Sequence, residues 1–494
     1  MAIEIRINDL SGTKKNTDYI GWSPRPEWVR QNTAGAAITV DLRNNGATNG
    51  GQVTFFPADG QGEPDLLSPS EELVGLEIAA VTGQEEGQWT KFFIAGKFDQ
   101  VNERSFPSKR DKDTGIGVFE SNTGTNLFTK TLMVRVRKNA TKLTPGERDD
   151  FLTAIMHLNT KTSGNHPWQN FQNMHTDKAR FEIHGRSCFL PWHRMYLLNL
   201  EREIQRLEIS QDDGTKKTFA HVTIPYWDFY SVADQVADAV HTQQFMGEAD
   251  SSGIVQFAAG HPLVNWNTNL GGINNAALGP KLRRGIHPAL SSWDPKQQVV
   301  PVFTNPAFGT AFRTERDTLK DFSDYERFNN GIPSANIYGL EDSPHGPAQG
   351  IWVGPVGQIE FSPADPLFFL LHCNVDRLWA MWQWKTPGYR FDALDPASYD
   401  KIGKGSRSTM VPRSDRVGNF TDDTLWPWNG DDQPPRPDEA SWGDMPASDA
   451  ATAPASKPVL KQAIDYHGQH SQNPDDYLGF DYDDIPLDYP VGLS

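Results

Sequence analysis

Apolar positions along this chain follow two regimes. From about residue 36 to residue 138 they come in short β-rich runs: Ile38-Thr39-Val40, Val53-Thr54-Phe55-Phe56, Lys91-Phe92-Phe93-Ile94 and Leu132-Met133-Val134-Arg135-Val136. Clusters of Gly, Asn and Asp such as NNGATNGG separate them, which predicts a small β-sandwich. At LTPGERDDF the signal changes. Thr144 can cap a helix, Pro145 suits its first turn and Glu147 completes a capping box, so a helical domain begins near residue 140. Helical patterning returns in WHRMYLLNLEREIQRLE, where Trp192, Met195, Tyr196, Leu200 and Ile204 recur at steps of three and four residues opposite charged positions. It returns again in SPADPLFFLLHCNVDRLWAMWQW, with Ser362 or Asp365 able to cap and a proline after each. The run from 430 to 458, rich in Pro, Asp and Ala, reads as a long surface loop. The expectation is an α+β multidomain chain, with a β-sandwich-like domain over 1–132 and a mainly helical domain over 133–494.

Composition narrows the function classes. A chain of 494 residues exceeds what one core normally serves. The net charge of -17, from 46 basic and 63 acidic residues, argues against nucleic acid and anionic membranes as partners. No run of about 18 apolar residues occurs, and the first residues, MAIEIRINDLSGTKKN, carry no apolar leader, so the chain as given is expected to be cytoplasmic. Two cysteines, Cys188 and Cys373, make no disulfide framework and are read as free thiols.

The chemistry is in the histidines. His175, His184 and His193 fall within one short stretch, MHTDKARFEIHGRSCFLPWHR. Imidazole suits copper, and three neutral imidazoles leave positions open for oxygen or substrate. Spacings of nine and nine do not share a helical face, so these residues are expected from two helices and the loop between, with His193 early in a helix that Pro191 opens. Three spaced histidines alone fit structural roles better than a metal site.

HGRSCFLPWHR, followed by a helix carrying Glu201, resembles the first copper-binding segment of tyrosinases, catechol oxidases and molluscan hemocyanins. FSPADPLFFLLHCNVDRLWAMWQW is similar to that family's second copper segment, which makes His372 a ligand. VRVRKNATKLTPGERDDF, IPYWD and LGFDYDD fit in order, so the resemblance runs from about 133 to 484, leaving the first 130 residues outside it. It implies a four-helix-bundle core holding two copper ions. It further implies oxidation of phenols to o-quinones with dioxygen, acting on o-diphenols, o-aminophenols or monophenols.

Departures from the family pattern qualify this. The second copper usually takes two histidines four apart; in LEDSPHGPAQGIWVG the first is His345, but Gln349 stands in the second place. An i, i+4 pair aims at one point, so Gln349 can still reach the metal, although its amide oxygen is a poor donor to Cu(I), and weaker binding of the second copper is expected. Gly346 and Pro347 make this helix short. His287, His467 and His470 are weighed as substitutes, with His467 and His470 read as part of a solvated loop. Glu341 resembles the acidic residue that holds a water near the second copper in bacterial members. Its asparagine partner there is Gly346 here, so diphenols are favoured over monophenols. Asp376, four residues after His372, either steadies a ligand or pairs with Arg377 or Arg194. A hemocyanin-like oxygen carrier and an altered one-copper protein remain as alternatives.

Overall fold

The computed structural model describes residues 3–7, 17–21, 25–32, 36–46, 50–56, 75–81, 89–99, 104–105, 107–160, 166–175, 183–185, 187–229, 240–270, 278–286, 315–335, 337–384, 390–399, 420–428, 458–467 and 478–485. The expected surface loop over 430–458, apart from Pro458, lies outside these residues, as do His287 and His470. The chain forms two compact units. One comprises Met1–Arg137, Gln205–Thr223 and Tyr466–Tyr489, the other Lys138–Ile204, Ile224–Asp465 and Pro490–Ser494.

The first unit is built on strands β1 (Ile3–Arg6), β2 (Tyr19–Ile20), β3 (Arg25–Gln31), β4 (Ile38–Asn44), β5 (Val53–Phe56), β6 (Gly75–Val81), β7 (Thr90–Gly96), β8 (Phe98–Asp99), β9 (Arg104–Ser105), β10 (Thr114–Glu120) and β11 (Asn126–Val134). They make a four-stranded sheet in the order β1-β3-β7-β5 and a five-stranded sheet in the order β2-β11-β10-β4-β6. Alternation explains the packing: Val40 and Leu42, Ile116 and Val118, and Leu132 and Val134 each sit two apart and share one face. These residues join Val29, Val53, Phe55, Phe92 and Ile94 of the other sheet in a single apolar cluster. Two later segments complete the unit. The Arg135 side chain donates to the Ala220 carbonyl (2.8 Å), while the Arg137 backbone exchanges hydrogen bonds with Asp481 and Asp483 (2.8 and 3.0 Å). The guanidinium of Arg137 lies 3.9 Å over Phe480. His467, expected in a solvated loop, is instead buried beside Asp481.

The second unit is mainly helical. Helix α1 (Pro145–Asn159) carries the expected capping box, with Thr144 accepting from the Glu147 amide and Glu147 reaching back to the Thr144 amide. Helix α2 (Pro167–Met174) begins on its proline and ends at His175. Helix α3 (Phe189–Gln205) starts two residues before Pro191, because proline is tolerated anywhere in the first turn, where amides have no intrahelical acceptor. Helix α4 (Gly346–Gly350) is short, with Pro347 in its first turn. Helix α5 (Leu367–Trp384) is buried along its whole length. Of its two possible caps, Asp365 accepts from the Leu367 amide (2.9 Å), and Ser362 sits in a preceding 3-10 turn. The carboxylate of Asp365 also takes two hydrogen bonds from Arg284, at 2.6 and 2.7 Å, in a buried pair. IPYWD ties elements together from the backbone: Ile224 donates to the Glu201 carboxylate (3.1 Å) and Trp227 to the Leu370 carbonyl (3.0 Å). Cys188 and Cys373 are buried thiols not joined in a disulfide, as expected.

Candidate metal centre

The second unit brings five imidazoles together, each delivered differently. His175 caps the end of α2, and its Nδ1 faces the Ile359 carbonyl at 2.9 Å. His193 lies in the second turn of α3, with its Nδ1 2.8 Å from the Phe189 carbonyl four residues earlier. His345 ends the π-helical turn Glu341–His345 and places Nδ1 2.9 Å from the Glu341 carbonyl, again four residues back. His372 projects from α5. His184, half-buried between α2 and α3, completes a triad with His175 and His193 whose ligand atoms lie within 4.8 Å of one another.

A ring nitrogen facing a carbonyl must carry the proton, so His175, His193 and His345 each leave Nε2 as an unprotonated donor. These lone pairs point at neighbours. The Nε2 atoms of His175 and His193 are 3.4 Å apart, and those of His345 and His372 are 3.2 Å apart. Imidazole nitrogens around a first-row metal at about 2.0–2.1 Å sit about 3.3–3.6 Å from each other. For His175 and His193, whose Nδ1 atoms face carbonyls, this separation fits a cation held between the two lone pairs. His193 also stacks on His372, with ring centroids 4.1 Å apart and an 8° tilt, so the two groups of ligands lie side by side.

Burial keeps the rings of His175, His193, His345 and His372 neutral, the form that binds metal. It lowers His175 and His345 to about 4, and it holds His193 and His372 well below the ordinary imidazole value, reinforced by neighbouring imidazoles. Gln349, in the place of a sixth histidine, is buried and hydrogen-bonds the His345 ring. Its amide therefore lies beside the His345 ring, as an i, i+4 pair should.

Asp376 forms a buried ion pair with Arg194 (2.6 Å), whose guanidinium also donates to Gln383 and the Ala463 carbonyl and lies 3.6 Å over Trp379. Arg377 turns instead to Glu315. Glu341 is buried, and its Oε1 accepts the Gly185 amide at 2.6 Å.

Two residues of the site were not singled out from sequence. Phe189 packs within 4.6–6.1 Å of the rings of His184, His193, His345 and His372. Phe368 lies 4.2 Å from His372 and 4.9 Å from His175. Each stands four residues before a converging histidine on the same helix, a Phe-x-x-x-His spacing that Phe171 and His175 repeat and that was the available signal.

Among known families, the common central domain of tyrosinase matches residues 165–385. A tyrosinase of Streptomyces glaucescens is 32% identical over 309 residues, covering 58% of this chain and 99% of that protein. Grixazone synthase of Streptomyces griseus is 27% identical over 286 residues, covering 52% of this chain and 86% of the relative. Among solved structures, a mutant polyphenol oxidase of Thermothelomyces thermophila is 18% identical with a TM-score of 0.39, covering 70% of this chain and 88% of that one.

Proposed function

Since the chain belongs to the tyrosinase family, we propose that it oxidises phenols to o-quinones with dioxygen at a pair of copper ions, and that o-diphenols are its better substrates. The observation that carries this reading is the pair of facing Nε2 atoms in each half of the site, with His193 stacked against His372. His175, His184 and His193 would hold one copper; His345, His372 and the amide oxygen of Gln349 would hold the other. When bound, the two coppers supply the two electrons by which dioxygen is reduced as the phenol is oxidised.

The chain's own residues do the positioning. The carbonyls of Ile359, Phe189 and Glu341 hold three imidazoles in the tautomer that leaves Nε2 to the metal. Phe189 and Phe368 wall the ligands with aromatic surface, excluding water and lowering the local dielectric. The reading includes the four-helix-bundle core implied by the family, with α2, α3 and α5 delivering His175, His193 and His372. Gly346 follows His345 directly and has no side chain with which to orient a proton-accepting water, which favours substrates that arrive as diphenols. The N-terminal β-sandwich of 1–132 is proposed as the core of the first unit, which the two later segments complete, and the chain as cytoplasmic.

Gln349 favours a second reading, a one-copper protein, because the amide is both a harder donor than imidazole and bonded to His345. Oxygen uptake by copper-loaded protein separates the two. Sustained consumption with catechol, faster than with tyrosine, is the expected result. Absence of uptake with either phenol on protein holding two coppers overturns the oxidase reading and leaves an oxygen carrier. Absence of uptake with one copper per chain supports the altered site.

A further inference from the structure

The five imidazoles are not anchored alike. His175, His193 and His345 each have a ring nitrogen facing a backbone carbonyl, and His372 is held in the middle of an 18-residue helix. His184 sits on no long helix and is the more exposed of the five. Its chain neighbour Gly185, however, donates its amide to the buried carboxylate of Glu341 at 2.6 Å, across 156 positions of sequence. The same residue's carbonyl receives the Nδ1 proton of His345. One residue thus touches the backbone beside a ligand of the first copper and the ring of a ligand of the second.

We infer that Glu341 is a positioning residue that ties the two halves of the metal centre together, its carboxylate holding the Gly185 amide and so the His184 ring in place. This rests on the proposed copper-holding role of the histidines. An N–H···O bond of 2.6 Å to a buried acceptor oxygen is short and directional, which suits a clamp on a short segment. The inference also assigns Oε1 a role different from holding a catalytic water. What matters for the clamp is an acceptor oxygen at the right reach, and charge is secondary.

That distinction sets the test. Glutamine keeps the reach and an acceptor oxygen without the charge, whereas aspartate keeps the charge but is shorter by one carbon–carbon bond of about 1.5 Å and falls short of Gly185. Apo-protein is titrated anaerobically with Cu(I) against a chromophoric chelator, with the thermal midpoint of each apo variant measured alongside. Glu341→Gln is expected to bind within about threefold of the parent, while Glu341→Asp and Glu341→Ala lose roughly 10- to 100-fold at the first copper, the range for loss of an outer-shell support. In a His184→Ala background, Glu341→Asp is expected to cost nothing further at that position, since the effect runs through His184.

Retention of affinity by Glu341→Asp with loss by Glu341→Gln overturns the inference in favour of a role for the charge. Equal affinities in all variants, or an undiminished loss in the His184→Ala background, also overturn it. Failure of Glu341→Ala to fold leaves the Gln and Asp pair to decide. A parent protein that binds no copper removes the metal reading and this inference with it, whereas a copper-binding parent with indistinguishable variants removes this inference alone.

Discussion

Replacing Asp365 with alanine should unfold the second unit at markedly lower denaturant. The carboxylate accepts from Arg284 Nε and Nη2 at 2.6 and 2.7 Å, and one of its oxygens also caps α5 through the Leu367 amide at 2.9 Å. Both side chains are almost wholly excluded from solvent, at 2% and 0% exposure, so the guanidinium cannot turn to water when its partner is removed. Breaking a buried pair costs about 3–5 kcal/mol because it strands a charge. Losing the cap adds about 1 kcal/mol. The two effects share one carboxylate and need not add fully, so the expected loss is about 3–6 kcal/mol, a large share of the roughly 5–15 kcal/mol of a typical domain. Urea unfolding of apo-protein, followed by tryptophan fluorescence, reads the change, because α5 carries the buried Trp379, Trp382 and Trp384. A companion variant with Arg284→Leu and Asp365→Leu should recover part of the loss, since it leaves no stranded charge. A loss below 1 kcal/mol for Asp365→Ala, or a double variant no better than the single, would refute the reasoning.

Two further outcomes follow from the site and its surroundings. Gln349→His replaces an amide oxygen with an imidazole beside His345 and should tighten the second copper by at least tenfold in Cu(I) titration. An unchanged second affinity would show that Gln349 does not face the metal. His241, buried against Trp227 and Trp352, is lowered to about 3 by burial and then by the Arg284 charge, against about 6.5 in the unfolded chain. The unfolded state therefore takes the proton first, so stability is complete above about pH 6.5 and declines by about 1.4 kcal/mol per unit as pH falls toward 3. In His241→Leu the stability curve between pH 6 and pH 4 should be shallower by that slope, and parallel curves would contradict it.

What could be read in the sequence was what is local or carried by a motif. The Thr144–Glu147 capping box, the β-runs at Val53 and Leu132 and the short α4 around Pro347 each depend on residues within a few positions, and each is present. Contacts closed over long distances were not legible. The i+4 spacing placed Asp376 on the His372 side of its helix, but its partner is Arg194, 182 positions away, and nothing periodic announces that choice. The entry of Gln205–Thr223 and Tyr466–Tyr489 into the β-unit rests on pairings with Arg135 and Arg137, which carry no local signal. His467 read as solvated because its neighbours are polar, yet Asp481 and Phe480 come from a different segment and bury its surroundings. The Glu341–Gly185 bond belongs to the same class.

The proposed oxidase chemistry needs imidazoles meeting around two redox-active ions, and counting those ions tests it most directly. Copper and zinc are measured per chain after anaerobic reconstitution and removal of loose metal, for the parent, His193→Ala and His372→Ala. The expected result is close to two coppers and no zinc in the parent, with copper lost in each variant. Zinc in the site, or copper content unchanged by either substitution, would contradict it.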